Sequence, residues 1–251
     1  MDSATTCLNC GALVQGSFCA HCGQSAHVPK FTWRYVLQEL PAGLFAWDKG
    51  FLYTAKALFL RPGPAIAEYI AGKRVLHFRP LPMLAFCAGI LGLLGLYTPV
   101  PEALLGTEDK KKFVQQVTDW LNSHYVWIEL ALLPVMSFST WVWFRKRGYN
   151  LVEHVVINAF LASQRLILNI LLFPVVFLSN SLPVLAVQST VVSLASFGLF
   201  TWSFVGLFAR GDRARVAMRT MSAYAMAYVL LGLLGVAFGS YFVLTGRLHF
   251  R

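Results

Sequence analysis

Four of the five cysteines fall in one short stretch, Cys7, Cys10, Cys19 and Cys22, spaced C-x2-C-x8-C-x2-C. Two intervening residues let a tight turn aim both sulfurs of a pair at one ion, and an eight-residue connector suffices for a small hairpin that brings the second pair opposite. Four thiolates then complete the tetrahedron of a zinc ribbon. Gly11 and Gly23 each follow the second cysteine of a pair, where such turns need positive φ and point backbone N–H groups at sulfur. The competing reading, two disulfides or a redox dithiol, finds no cleavable signal peptide before Cys7 and no thioredoxin-like βαβ pattern around it. A site closed by four cysteines leaves no position for substrate, so the expected Zn2+ is structural or partner-binding rather than hydrolytic. His21 and His27 read as exposed neighbours of the site, and Cys87, within an apolar run, as a small core residue.

A second set of chemically capable residues has apolar surroundings. At ~100° per residue, His154, Asn158, Arg165 and Asn169 fall within about 60° of one another on one helical face. With Glu153 beside His154, this intramembrane polar site reads either as a cavity or pathway or as an interhelical hydrogen-bond network. Arg165 lies about 15 Å from the start of its span, near the bilayer midplane, where an arginine requires a partner or water. Glu129, in the preceding span at similar depth, is the expected partner; water and Gln164 compete for that role. Ser189, Ser193 and Ser196, and Gly235 with Gly239, read as close helix packing. The chain contains no GxxxxGK[ST] phosphate loop, no GxGxxG, no HExxH and no GxSxG elbow. No catalytic residue is therefore assigned; an intramembrane enzyme of unrecognised type stays open.

The elements that must position these groups follow from composition. Of 251 residues, 57% are hydrophobic and 13% charged, against about 25% charged in an ordinary soluble domain. Too few charges remain to cover a water-exposed surface, so the expected fold is an all-α integral membrane protein. Five runs are long enough to cross a bilayer, at about 81–98, 124–144, 155–178, 183–209 and 221–245. The first is the shortest and is bracketed by prolines. Lys73, Arg74 and Arg79 precede it; Arg145, Lys146 and Arg147, and then Arg210, Arg213, Arg215 and Arg219, occupy two connections. By the positive-inside rule these face the cytoplasm together with the N-terminus, which keeps the cysteines in a reducing compartment. Arg247 and Arg251 at the far end run against that pattern. The net charge of +10 reads as orientation and contact with anionic lipid, with no nucleic acid required.

Between residues 28 and 79 the pattern changes to three short amphipathic pieces: one carrying Trp33, Val36, Leu37 and Leu40, one carrying Phe51, Leu52, Ala55, Leu58 and Phe59, and one starting at Pro64 after Arg61-Pro62-Gly63. Each is too short to span a bilayer; they suit helices lying in the headgroup layer, or ordinary packing against the membrane domain. Three regions result: a zinc ribbon (1–27), interfacial helices (28–79) and a transmembrane helical domain (80–251). A helix within 101–123, with Phe113, Val117, Trp120 and Leu121 on one side, is placed to cap the bundle. Trp127, Trp141, Trp143 and Tyr149 read as interface anchors.

The order of these features resembles an uncharacterised family of bacterial inner-membrane proteins, domain of unknown function 3667. The matching residues are the cysteine ribbon, Trp47-Asp48-Lys49-Gly50-Phe51 with Thr54, Arg61-Pro62-Gly63, Tyr69 with Gly72-Lys73-Arg74, Pro80 and Glu153-His154, mainly within residues 7 to about 95. The resemblance implies a polytopic inner-membrane protein with a zinc-ribbon head and carries no activity or catalytic residue. The basic residues Arg61, Lys73, Arg74 and Arg79 read as an anchoring collar or, more sharply, as a lipid or partner site. The expected role is a membrane-anchored binding or assembly module that recruits or senses a cytoplasmic partner. The alternative is a transporter or lipid-handling protein that uses the polar face of the third span.

Overall fold

The computed structural model describes residues 5–34, 50–98, 100, 107–179, 181–209 and 211–245. Val36, Leu37, Leu40, Trp47, Asp48, Lys49, Arg210, Arg247 and Arg251 lie outside them. The N-terminal strands β1 (Thr5–Thr6) and β2 (Leu13–Val14) pair antiparallel, Thr5 opposite Val14 and Thr6 opposite Leu13. A single bridge between Phe18 and Ser25 repeats the arrangement in the second half.

The remaining described elements are helical: α1 (Gly50–Leu60), α2 (Pro62–Ile70), α3 (Pro80–Leu96), α4 (Glu108–Ser123), α5 (Tyr125–Phe144), a 3-10 turn (Arg145–Arg147), α6 (Leu151–Ser179), α7 (Leu182–Phe208) and α8 (Arg213–Thr245). Prolines start several of them, because a ring-fixed φ suits the first turn and the missing N–H would be unsatisfied there anyway. Pro62 starts α2 and Pro80 starts α3. α2 thus begins two residues before the expected Pro64. Gly63 lies inside the helix, and the corner before it falls at Arg61, whose φ is −150°. α6 opens with a reciprocal cap: the Asn150 N–H donates to Glu153 Oε2 at 2.7 Å, and the Glu153 N–H donates to Asn150 Oδ1 at 2.9 Å.

Among the described residues, four helices are long and apolar enough to cross a membrane, at Tyr125–Arg147, Leu151–Ser179, Leu182–Phe208 and Arg213–Ala237. Of the five expected spans, the first differs. α3 has 17 residues, about 25 Å of rise against the ~30 Å of a hydrocarbon core. Its first half, Pro80 to Ala85 with Cys87 and Ala88, is buried against protein, and Cys87 packs as the core residue its surroundings imply. α8 begins at Arg213, eight residues before the expected start. Arginine is a good helix former, and the Arg215 N–H finds its cap on Asp212 Oδ1 at 3.0 Å, so the basic connection is wound into the helix.

α6 packs on α1, α2, α3, α5 and α7, while α8 closes a ring by touching α5 and α7. The largest buried side chains, Tyr69, Phe144, Phe160 and Phe204 among them, sit where these helices meet. α1 and α2 are not spread on an open surface, since α2 buries Ala65, Ile66 and Tyr69. Gly63 makes that approach possible. A Cβ there would come within 2.7 Å of the Gly206 backbone on α7. The expected cap of the bundle is looser: α4 lies mainly along α3, and Phe113, Trp120 and Leu121 remain exposed.

Candidate functional site

The head brings its four cysteines together. In each half the same turn recurs: the Gly11 N–H donates to Cys7 O at 2.9 Å, and the Gly23 N–H to Cys19 O at 2.8 Å. Both glycines have positive φ, 78° and 75°, a conformation that side chains disfavour. The sulfur of Cys7 lies 3.5 Å from that of Cys22, and the sulfur of Cys10 lies 3.6 Å from that of Cys19. All four sulfurs fall within 4.8 Å of one another, and none is in a disulfide. Metal–sulfur bonds of ~2.3 Å in a tetrahedron put sulfurs about 3.8 Å apart, so the donor set fits one ion. The electrostatics agree. The Cys10 N–H lowers the Cys7 thiol to about 6, with burial opposing it and the Asn9 N–H assisting. The Cys22 and His21 N–H groups lower Cys19. Cys10 moves the other way: the Ala12 N–H draws it down, but desolvation and the crowded thiols carry it to about 12. Further ionisation of such a cluster requires a cation. His21 and His27 are exposed and stand outside the four-sulfur group.

The head is also joined to the helices. Arg74, in the turn after α2, donates its N–H to Gln24 Oε1 at 3.1 Å and its Nη2 to Pro29 O at 3.0 Å. Its guanidinium stands 4.3 Å from the Phe31 ring centroid and 5.5 Å from that of Tyr69. Tyr69 in turn meets Phe160 on α6 edge-on at 5.1 Å. Arg61 bonds Glu68 Oε1 and the Tyr53 hydroxyl, both at 3.0 Å. Of the four collar residues, Arg61 and Arg74 therefore hold protein to protein. Lys73 and Arg79 are exposed. The same turn buries His77, whose pKa falls because burial penalises the cation, with Glu68 pulling it up and Arg61 down.

In the helical domain, Arg165 Nη2 donates to Glu129 Oε2 at 2.6 Å, with the carboxylate buried and 35% of the arginine side chain open. Arg165 is midway along α6. His154 and Asn158 meet on Thr140 of α5: His154 Nδ1 lies 3.0 Å from its hydroxyl, and Asn158 Nδ2 donates to it at 2.9 Å. Asn169 Nδ2 donates to Arg165 O at 3.1 Å, and its Oδ1 accepts from Gln188 of α7 at 3.4 Å. Glu153 stands apart from the group, occupied as the cap of α6. Gln164 is turned to α1, donating to Leu58 O at 2.6 Å. Thr140 escaped the sequence reading, although a signal was present. Glu129 and Thr140 are separated on α5 by the same eleven residues as His154 and Arg165 on α6, so two antiparallel helices present matched pairs on facing sides.

A cavity of about 620 Å³ lies among α5, α6, α7 and α8. Glu129, Arg165, Asn169 and Gln188 contribute to its wall, as do Ser196, whose hydroxyl is buried, and Ser189 and Ser193, which are exposed to open space rather than held in a close helix contact. Gly235 likewise faces nothing within 4 Å. Leu133, Met136, Phe200 and Met221 supply apolar wall. Asn158 is 2% exposed, lines the cavity, and has no hydrogen-bond partner for its Oδ1 among the described residues.

No curated protein and no solved structure matches the chain. The family model described as protein of unknown function (DUF3667) matches residues 48–92, which places the family's segment on α1, α2, the basic turn after them and most of α3.

Proposed function

We propose that this multi-pass membrane protein is an assembly module of a bacterial inner membrane, with its N-terminus in the cytoplasm and Zn2+ as the structural ion of the four-cysteine head. Its role is to recruit or sense a cytoplasmic protein partner. The observation that carries this reading is the seating of the head: Arg74, Gln24 and Phe31 fasten one side to the helical domain, while Leu13 and Phe18 on the ribbon are each 68% exposed. A closed metal site offers no place for substrate, and a pair of exposed apolar side chains on a fixed head suits protein contact. Lys73, exposed beside it, suits the anionic lipid of the same leaflet.

The test compares co-purification from mild detergent for wild type, Leu13→Asp/Phe18→Asp and Cys19→Ser/Cys22→Ser. The first pair should lose a specific partner while keeping zinc; the second should lose both. An unchanged partner set with zinc intact overturns the reading. Thiol labelling of the head from outside intact cells would reverse the orientation.

A second reading, a transporter or lipid-handling protein, rests on a separate observation: a cavity containing an ion pair at the middle of a candidate span. Structural networks do not need such open space.

A further inference from the structure

The cavity among α5 to α8 is divided along its length. Successive helices run antiparallel, so Glu129, Arg165, Asn169, Gln188 and Ser189 belong to one end, and Met136, Asn158, Phe200 and Met221 to the other. On α6 the wall runs from Asn158 to Asn169, about 16 Å of rise. On α5 the polar end is close to the helix start, Glu129 being about 6 Å inside Tyr125, while on α6 Arg165 is midway along the helix. A molecule entering from that face meets charge first and afterwards a mainly apolar wall in which Asn158 and Tyr224 are also set. The wall carries exposed Ser189, Ser193 and Phe197, so the cavity is open. Its volume falls within the ~300–1,000 Å³ of ligand pockets, room for a headgroup and part of one chain.

Charge selects among amphiphiles. Glu129 and Arg165 neutralise each other at 2.6 Å with the carboxylate buried, where an uncompensated charge is strongly disfavoured. A net anion on Arg165 leaves the carboxylate unmatched, and a net cation on Glu129 leaves the guanidinium unmatched. A zwitterion exchanges with the pair and preserves neutrality: its phosphate takes the planar fork of the arginine, and its ammonium the carboxylate. The open part of the Arg165 side chain and the Tyr125 hydroxyl beside the pair supply donors for that exchange. A quaternary ammonium has no N–H to give Glu129; a primary ammonium has three.

Resting on the lipid-handling reading of this site, we propose that the cavity binds a bilayer phospholipid with a zwitterionic phosphate–primary ammonium headgroup, its phosphate on Arg165 and its ammonium on Glu129. The experiment presents the purified full-length protein with mixed micelles of phosphatidylethanolamine, phosphatidylcholine or phosphatidylglycerol matched in chains. Retained lipid is counted by native mass spectrometry, and thermal stability is followed in parallel. Phosphatidylethanolamine should be retained at least ~10-fold over the other two. Glu129→Gln should abolish its advantage over phosphatidylcholine. Ser193→Phe, which fills the cavity without touching the ion pair, should abolish retention while leaving the unfolding temperature near that of wild type. Equal retention of the three lipids, lost on Ser193→Phe, overturns the headgroup assignment and leaves the cavity reading standing. Absence of retained lipid from the wild type, or retention unchanged by Ser193→Phe, overturns both.

Discussion

The contact between Arg165 and Glu129 is the residue-scale feature with the largest energetic stake. Removing one member of a buried pair leaves the other charge uncompensated, whereas replacing both with apolar groups of similar size removes the desolvation penalty as well. Arg165→Met, which strands the buried carboxylate, should destabilise by about 3 kcal/mol; Glu129→Leu, which leaves a guanidinium that is 35% open, should cost less, and the double variant clearly less than Arg165→Met alone. Chemical unfolding in micelles measures this double-mutant cycle; additive losses would show that the two groups act separately. His77 provides a pH-dependent counterpart outside the spans. Burial lowers its pKa from 6.5, so below that value the unfolded chain takes up more protons than the folded one, and stability falls as pH drops. Unfolding temperature should decline between pH 7 and 5, and His77→Gln should flatten the decline.

At the scale of elements, the approach of α2 to α7 depends on the absence of side chains. Gly63→Ala places a carbon 2.7 Å from backbone that has no flexible end to move, and overpacking of that kind costs about 1–3 kcal/mol. Gly235→Ala, in α8 with nothing within 4 Å, should instead be neutral or stabilise by up to about 1 kcal/mol through helix propensity. Thermal unfolding of the two variants side by side checks the contrast, which nothing in the linear pattern announces: the Pro-Gly-Pro run reads as a corner until its neighbour on α7 is known. α3 teaches the same lesson in reverse. Its apolar run reads as a span with lipid along its whole length, yet its first half is enclosed by protein while Leu93 and Leu96 in its second half stay exposed.

Across the whole molecule, the head and the helices are coupled through one basic turn. Arg74→Ala keeps the backbone N–H bond to Gln24 but removes the Nη2 bond to Pro29 O and the contact with the Phe31 ring, so limited proteolysis should cut between the ribbon and α1 faster than in wild type while bound zinc stays unchanged. Chelation should loosen the ribbon and leave the helical signal of the membrane domain in place. Persistent ribbon protection after complete metal removal would show that the head folds without an ion.

Local chemistry was legible in the chain itself. Cysteine spacing, the glycines after each pair, four long apolar runs and the polar stripe of α6 all express short-range rules, in which turn geometry, helical period and hydrophobic length act on residues near one another in sequence. The family match at 48–92 falls within the stretch whose order of residues carried the resemblance. Partnership was another matter. Which carboxylate or hydroxyl meets Arg165, His154 and Asn158, whether Arg74 faces lipid or the ribbon, and whether the serines of α7 pack or line open space depend on how antiparallel helices are rotated and registered. Those choices are made by side-chain volumes and close backbone approaches between segments far apart in the chain, and only the folded arrangement sums them.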